Sequence, residues 1–240
     1  MNELDRFDAV LLDLDGVITS TAEQHFTAWK EMFDAYLRGR SGESFDPFTR
    51  DDYNRYVDGV PRYDGVRRFL ASRDIELDEG DPDDPPGSET VRSLGDRKNG
   101  LVNQIIRQQG VAPYEGTVRL LEQLRERAAV LGVVSSSRNT RTVLDVAGLS
   151  HYFDTTIDGE IAAHLGLPGK PAPDTFLAAA ERLGVPAERT VVIEDALSGV
   201  QAGRAGGFGL VVGVDRVGQR DALIEHGADL VVDDLAELLN

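Results

Sequence analysis

Short apolar runs recur along the chain, each bounded by turn residues: Ala9-Val10-Leu11-Leu12, residues 129–134, residues 190–193, residues 210–214 and Leu230-Val231-Val232. They are four to six residues or a little shorter, rich in β-branched side chains, and mostly separated by amphipathic stretches. Continuous apolar strands alternating with helices predict a parallel sheet covered on both faces. Helices are predicted over 117–127, 140–147, 173–183, 198–205 and 220–226. The expected fold class is α/β, a doubly wound, Rossmann-like parallel sheet.

Residues 21–108 break that rhythm. Ala22, Phe26, Trp29, Phe33 and Tyr36 step by four and three, the spacing of one helical face. Ser20-x-x-Glu23 and Thr21-x-x-Gln24 both fit a capping box at its start. Further helices are predicted over 50–57, 64–72 and 97–108. Between the last two, Asp78, Glu79, Asp81, Pro82, Asp83, Asp84, Pro85 and Pro86 predict an exposed loop. The expected organisation is therefore a core of residues 1–20 and 109–240 with a helical cap domain, residues 21–108, inserted after the first strand.

Composition narrows the class. The 240 residues correspond to about one and a half typical domains. A net charge of −17 opposes binding to nucleic acid or anionic membrane. Cysteine is absent, which excludes disulfides, thiolate metal sites and cysteine nucleophiles. No apolar run approaches the roughly 20 residues that span a bilayer, and the first residues lack the features of a signal peptide. A cytoplasmic protein is expected. Only Lys30, Lys98 and Lys170 are lysines among 25 basic residues. Each of these rare lysines raises the question whether its position needs an ammonium group.

The chemistry-bearing residues gather at strand ends. Asp13-Leu14-Asp15-Gly16 directly follows the first strand, where ligands of open α/β sheets bind. One carboxylate can act as nucleophile and the other as acid or base; a solvated aspartate pair in a turn is the alternative. Ser135-Ser136-Ser137-Arg138-Asn139 ends another strand, and its hydroxyls suit either a phosphate cradle or a helix cap. Lys170 precedes a proline-initiated helix. Glu194-Asp195 ends a buried strand in adjacent carboxylates, a donor pair suited to a hard cation.

In this order, strand-DxDGVIT, strand-SSS, Lys-Pro-x-Pro and strand-Glu-Asp, the sequence resembles the haloacid-dehalogenase superfamily of aspartyl phosphoryl transferases over essentially its whole length. The run from Asp13 to Lys30, with Asp58-Gly59-Val60-Pro61-Arg62 and Arg97-Lys98-Asn99, is similar to the β-phosphoglucomutase family. That resemblance implies Asp13 as nucleophile and Asp15 as acid/base. It implies Mg²⁺ held by Asp13, Asp15 (through its backbone carbonyl), Glu194 and Asp195. Ser135 and Lys170 would bind the transferring phosphoryl group; Gly59, Val60, Arg62, Ser137, Arg138 and Asn139 would bind the other phosphate. Thr21, His25 and Lys98 would align Asp15 and the sugar.

The implied reaction interconverts β-D-glucose 1-phosphate and D-glucose 6-phosphate through β-glucose 1,6-bisphosphate. Sugar phosphates are the expected partners, with no obligate protein partner. The alternative within the superfamily is a sugar-phosphate phosphatase, in which water takes the phosphoryl group. A phospho-acceptor receiver domain fits less well, because its aspartate sits on a later strand and its sheet carries no cap. Trp29 is expected to pack inside the cap, and His151, His164 and His226 carry no expected role.

Overall fold

The computed structural model describes residues 3–58, 60–85 and 87–239. The chain divides into two compact units, residues 1–20 with 111–240, and residues 21–110. Among the described residues no helix is long and apolar enough to cross a membrane.

The first unit is built on a six-stranded parallel sheet in the order β3-β2-β1-β4-β5-β6. The strands are β1 (Ala9–Leu12), β2 (Val130–Val134), β3 (Thr155–Ile157), β4 (Thr190–Glu194), β5 (Leu210–Val214) and β6 (Leu230–Val232). β1, β4 and β5 are buried along their whole length, as their unbroken apolar runs require. The three central strands run in step: Leu12 is level with Val133 on one side and Ile193 on the other. The chain winds away from β1 in both directions, so the order reverses there. The residues following Leu12, Val133 and Ile193 therefore emerge side by side at the switch point, where doubly wound sheets bind their ligands.

Six α-helices belong to this unit among the described residues. In the numbering that runs through both units, they are α5 (Glu115–Glu126), α6 (Thr140–Val146), α7 (Gly159–Leu165), α8 (Asp174–Leu183), α9 (Leu197–Ala205) and α10 (Arg220–Glu225), with a final 3₁₀ turn at Leu235–Leu238. Leu11, Val134, Ile157, Phe176, Val192, Val200 and Val211 form one continuous core cluster. Neither β3 nor α7 is predicted from the pattern. β3 is only three residues long, and its two threonines are half-buried, so no apolar run announces it.

The second unit is all-helical: α1 (Ala22–Ser41), α2 (Arg50–Asp52) continuing into a π turn at Tyr53–Val57, α3 (Arg62–Ala71) and α4 (Val91–Gln109). α1 buries Ala28, Trp29, Met32, Phe33, Tyr36 and Leu37. Trp29 stacks on Phe33 with ring centroids 5.2 Å apart, and Phe33 meets Phe69 at 4.2 Å. Trp29 thus packs inside the cap, as its place on the apolar face implies. Lys30 bonds the Asp34 carboxylate at 2.7 Å and the Phe48 carbonyl at 2.9 Å, while Phe48 N–H donates to Asp34. That lysine ties α1 to the chain entering α2.

Two expectations need adjustment. The Thr21 side chain makes no capping bond at the start of α1, so the anticipated capping box is not formed there. The cap's real capping box lies at Thr49 and Asp52. α4 begins at Val91, six residues before the predicted start, because the Thr90 hydroxyl accepts the Ser93 N–H at 3.2 Å. The acidic segment before it has no helix or strand and is largely exposed; Arg67 of α3 ties it down through Glu79 at 2.5 and 2.8 Å.

Candidate active site

Asp13 is the first residue beyond β1, and its N–H donates to the Ile193 carbonyl at 3.0 Å. Its side chain is almost fully buried. A buried carboxylate needs a partner, and Lys170 supplies it: Nζ lies 2.5 Å from Asp13 Oδ1, 2.5 Å from Glu194 Oε1 and 3.0 Å from the Val134 carbonyl oxygen. One ammonium therefore joins the ends of β1, β2 and β4. It also lies 4.9 Å from the centre of the Phe176 ring.

Burial opposes the Lys170 charge, but the Asp13 and Glu194 carboxylates outweigh it and hold the pKa above the usual lysine value. Glu194 responds in the opposite way. Burial, assisted by the Asp13 charge and resisted by Lys170, pushes its carboxyl up to about 7. Its second oxygen accepts the Ala196 N–H at 2.9 Å. Space for Glu194 exists because residue 199 is glycine: a β-carbon there would lie 1.9 Å from the Glu194 carboxyl carbon.

Asp195 completes the cluster. Asp13, Glu194 and Asp195 offer oxygen atoms that all lie within 4.8 Å of one another. Three carboxylates facing one ammonium leave an excess of negative charge, and all the donors are hard oxygens. This set fits a hard cation. Asp15 lies in the tight turn after β1, where it bridges to Thr19, and the Gly16 N–H donates to the Thr19 carbonyl at 2.9 Å. The Thr117 hydroxyl fixes the same turn through the Val17 carbonyl at 2.7 Å.

The serine-rich segment follows β2. Ser135 is buried and its N–H donates to Ile157 O at 3.0 Å; its hydroxyl accepts the Ser137 N–H at 3.1 Å. The Ser137 hydroxyl accepts the Asn139 N–H at 3.1 Å, and Asn139 is the residue at the start of α6. Arg138 lies between them. The chain is thus folded onto its own hydroxyls, on the strand next to Asp13.

In the cap, Lys98 Nζ lies 3.1 Å from His25 Nδ1 and 4.9 Å from the centre of the Trp29 ring. Burial, and then the Lys98 charge, hold the His25 pKa well below its usual 6.5. The His25 N–H donates to the Thr21 carbonyl at 2.9 Å, which places these three residues on the first turns of α1 and the middle of α4. Arg62, the first residue of α3, donates to Asp96 at 3.0 Å and to the Tyr63 hydroxyl at 3.2 Å; Tyr63 donates to the same Asp96 oxygen at 2.7 Å. Val60 is half-buried just before α3, and Gly59 lies outside the described residues.

The structure therefore brings Asp13, Lys170, Glu194 and Asp195 together with Ser135 on the neighbouring strand end, and within the cap it brings together Thr21, His25 and Lys98. Sequence reasoning missed Asp96, the partner of Arg62, and Gly199, the seat of Glu194. It also missed Arg216, whose Nε donates to the Gly16 carbonyl at 2.7 Å. Arg216 follows β5 at the same sheet edge as Asp13 and Glu194, and that topological position is the signal that could have found it.

The sequence matches the haloacid dehalogenase-like hydrolase family over residues 7–207. A β-phosphoglucomutase of Mycobacterium bovis is 52% identical over 238 residues, covering 96% of this chain and 91% of that protein. A β-phosphoglucomutase of Bacillus subtilis is 34% identical, covering 96% and 91%. The solved β-phosphoglucomutase of Clostridium difficile superposes with a TM-score of 0.80 at 25% identity, over 97% of this chain and 93% of that one. The chain belongs to the haloacid dehalogenase-like hydrolases and, within them, to the β-phosphoglucomutase family.

Proposed function

We propose that the protein is a phosphomutase that interconverts β-D-glucose 1-phosphate and D-glucose 6-phosphate, with β-glucose 1,6-bisphosphate as intermediate. The observation that carries this reading is the buried Asp13 carboxylate, bonded to Lys170 inside a cluster of further carboxylates. Its family membership supplies the sugar.

In this reading the Asp13 carboxylate attacks phosphorus and the bond from phosphorus to the sugar oxygen breaks. Asp15 gives its proton to the departing oxygen. In the reverse sense Asp15 takes the proton of the attacking sugar hydroxyl as the phosphoryl group leaves Asp13. Lys170 and Ser135 bind the transferring phosphoryl oxygens. Asp13, Glu194 and Asp195, with the Asp15 backbone carbonyl, would hold Mg²⁺, which supplies the positive charge that a phosphate dianion needs here. The need is large: two like charges at about 4 Å repel by roughly 4 kcal/mol at an effective dielectric constant near 20. Phosphoryl transfer depends mainly on such neutralisation and alignment.

Cap residues, with the segment that follows β2, take the recognition roles. Arg62, with Val60, Gly59, Ser137, Arg138 and Asn139, serves the phosphate that is not being transferred. Thr21, His25 and Lys98 serve Asp15 and the sugar. A second phosphate site separates a mutase from a phosphatase, because the bisphosphate must be retained while it turns around. Formation of glucose 6-phosphate from β-glucose 1-phosphate, dependent on Mg²⁺ and primed by the 1,6-bisphosphate, tests the reading. Release of inorganic phosphate without glucose 6-phosphate would make the protein a phosphatase.

A further inference from the structure

The segment that follows β5, residues 215–219, is folded around one carboxylate. Asp215 Oδ1 accepts the N–H groups of Val217, Gly218 and Gln219 at 3.2, 2.7 and 2.8 Å, and Oδ2 accepts that of Arg220 at 3.1 Å. Those backbone bonds, the one from Gln219 foremost, lower the Asp215 pKa. The ring is therefore preformed and stays charged at neutral pH.

Two side chains leave this ring for the acidic turns. Arg216 Nε donates to the Gly16 carbonyl at 2.7 Å, next to Asp15. Gln219 Nε2 donates to the Asp195 carbonyl at 3.0 Å. Arg216 is itself immobilised: Nη1 donates to the Asp233 carbonyl at 2.9 Å, and the guanidinium lies 3.7 Å from the centre of the Tyr114 ring. Tyr114 in turn donates its N–H to Ile18 at the far side of the turn after β1. The two backbones so held belong to turns in van der Waals contact, since the Asp195 carboxylate occupies the space a side chain at residue 16 would fill.

We infer that Arg216 and Gln219 are positioning residues: together they fix the turn carrying Asp15 against the turn carrying Asp195, and so set the carboxylate geometry that the cation and the phosphoryl group meet. This rests on the proposed function for its catalytic consequence, but the binding consequence stands without it. Neither side chain touches the reacting atoms. Each acts through a carbonyl, so its loss loosens the ligand set without removing a ligand. The guanidinium also adds positive charge beside the turn that carries Asp15.

The test is Mg²⁺ titration by calorimetry of the full chain and of Arg216→Met, Arg216→Lys and Gln219→Leu, beside steady-state kinetics and thermal melts. Arg216→Met and Gln219→Leu should each weaken Mg²⁺ binding about tenfold, the range typical of residues that orient metal ligands. kcat should fall in parallel, with KM for the sugar phosphate within about twofold, because the interaction lost is one realised in the transition state. Arg216→Lys should recover part of the Mg²⁺ affinity, since an ammonium can still donate to the Gly16 carbonyl. Gln219→Leu keeps the test available if Arg216→Met does not fold. Unchanged Mg²⁺ affinity in both, whatever happens to the melting temperature, would overturn the inference. A wild-type protein that binds Mg²⁺ but makes no glucose 6-phosphate would overturn the mutase reading and leave this one to be judged on affinity alone. A wild-type protein that binds no Mg²⁺ would overturn both.

Discussion

The carboxylate of Asp195 sits where the side chain of residue 16 would be. A β-carbon added to Gly16 would lie 1.9 Å from Asp195 Oδ2, and Gly16 has φ +88°, a conformation that favours glycine. Gly16 is thus needed for its backbone and for its emptiness. Gly16→Ala should displace Asp195 and weaken Mg²⁺ binding at least about tenfold. Calorimetric titration checks this, and an unchanged affinity would mean that Asp195 can step aside at no loss.

Lys170 is the only cation that bonds both Asp13 and Glu194 among the described residues. Removing it leaves two buried carboxylates facing each other. Breaking a buried pair in this way costs about 3–5 kcal/mol, and Lys170→Met should lose that much in denaturant melts without added metal. Saturating Mg²⁺ should restore part of the stability, because a cation that binds only the folded state stabilises it. Turnover should drop at least about a hundredfold even with Mg²⁺, because the phosphoryl oxygens lose a fixed positive charge.

Arg62 is held by Asp96 and the Tyr63 hydroxyl at the start of α3. Arg62→Ala should abolish mutase turnover while sparing the slow hydrolysis of a small phosphate ester, which has no second phosphate to bind. Parallel assays of the two activities decide the point. Equal loss of both would place Arg62 in the general chemistry and not in the mutase step.

His25 gives a pH dependence with a definite sign. Its pKa in the folded cap lies well below 6.5, through burial first and the Lys98 charge second. Below pH 6.5 the unfolded chain therefore binds a proton that the folded cap refuses, and stability falls as the pH drops, until the folded pKa is reached. The slope from this one group is at most about 1.4 kcal/mol per pH unit. The chain's one tryptophan, Trp29, lies in the cap core, so its fluorescence reports cap unfolding. Urea midpoints followed that way should decline below pH 6.5, and His25→Gln should flatten the decline.

Those residues were legible in the sequence to different degrees, for physical reasons. The central strands are plain, because a strand buried on both faces must be an unbroken apolar run; β1 and β5 match the predicted runs residue for residue. Edge strand β3 is not, because Thr155 and Thr156 are half-buried. The sequence pattern places the start of α4 at Arg97 because Arg92, Ser93 and Gly95 dilute its apolar face; Gly95 is there to admit the Tyr63 ring, which a β-carbon would meet at 2.7 Å. Asp13, Glu194 and Asp195 could be found from the ends of strands alone. Lys170 stood out only because lysine is so scarce in this chain. Arg216 and Gln219 were hidden by the 22 arginines and by acting through backbone carbonyls, which no side-chain motif records.

The central claim is that the phosphoryl group returns to sugar and not to water. Phosphorus NMR of the protein with Mg²⁺, β-glucose 1-phosphate and a trace of β-glucose 1,6-bisphosphate tests it most directly. The account predicts that the β-glucose 1-phosphate signal is replaced by that of glucose 6-phosphate, with the bisphosphate persisting at trace level. Accumulation of inorganic phosphate in place of glucose 6-phosphate would contradict it.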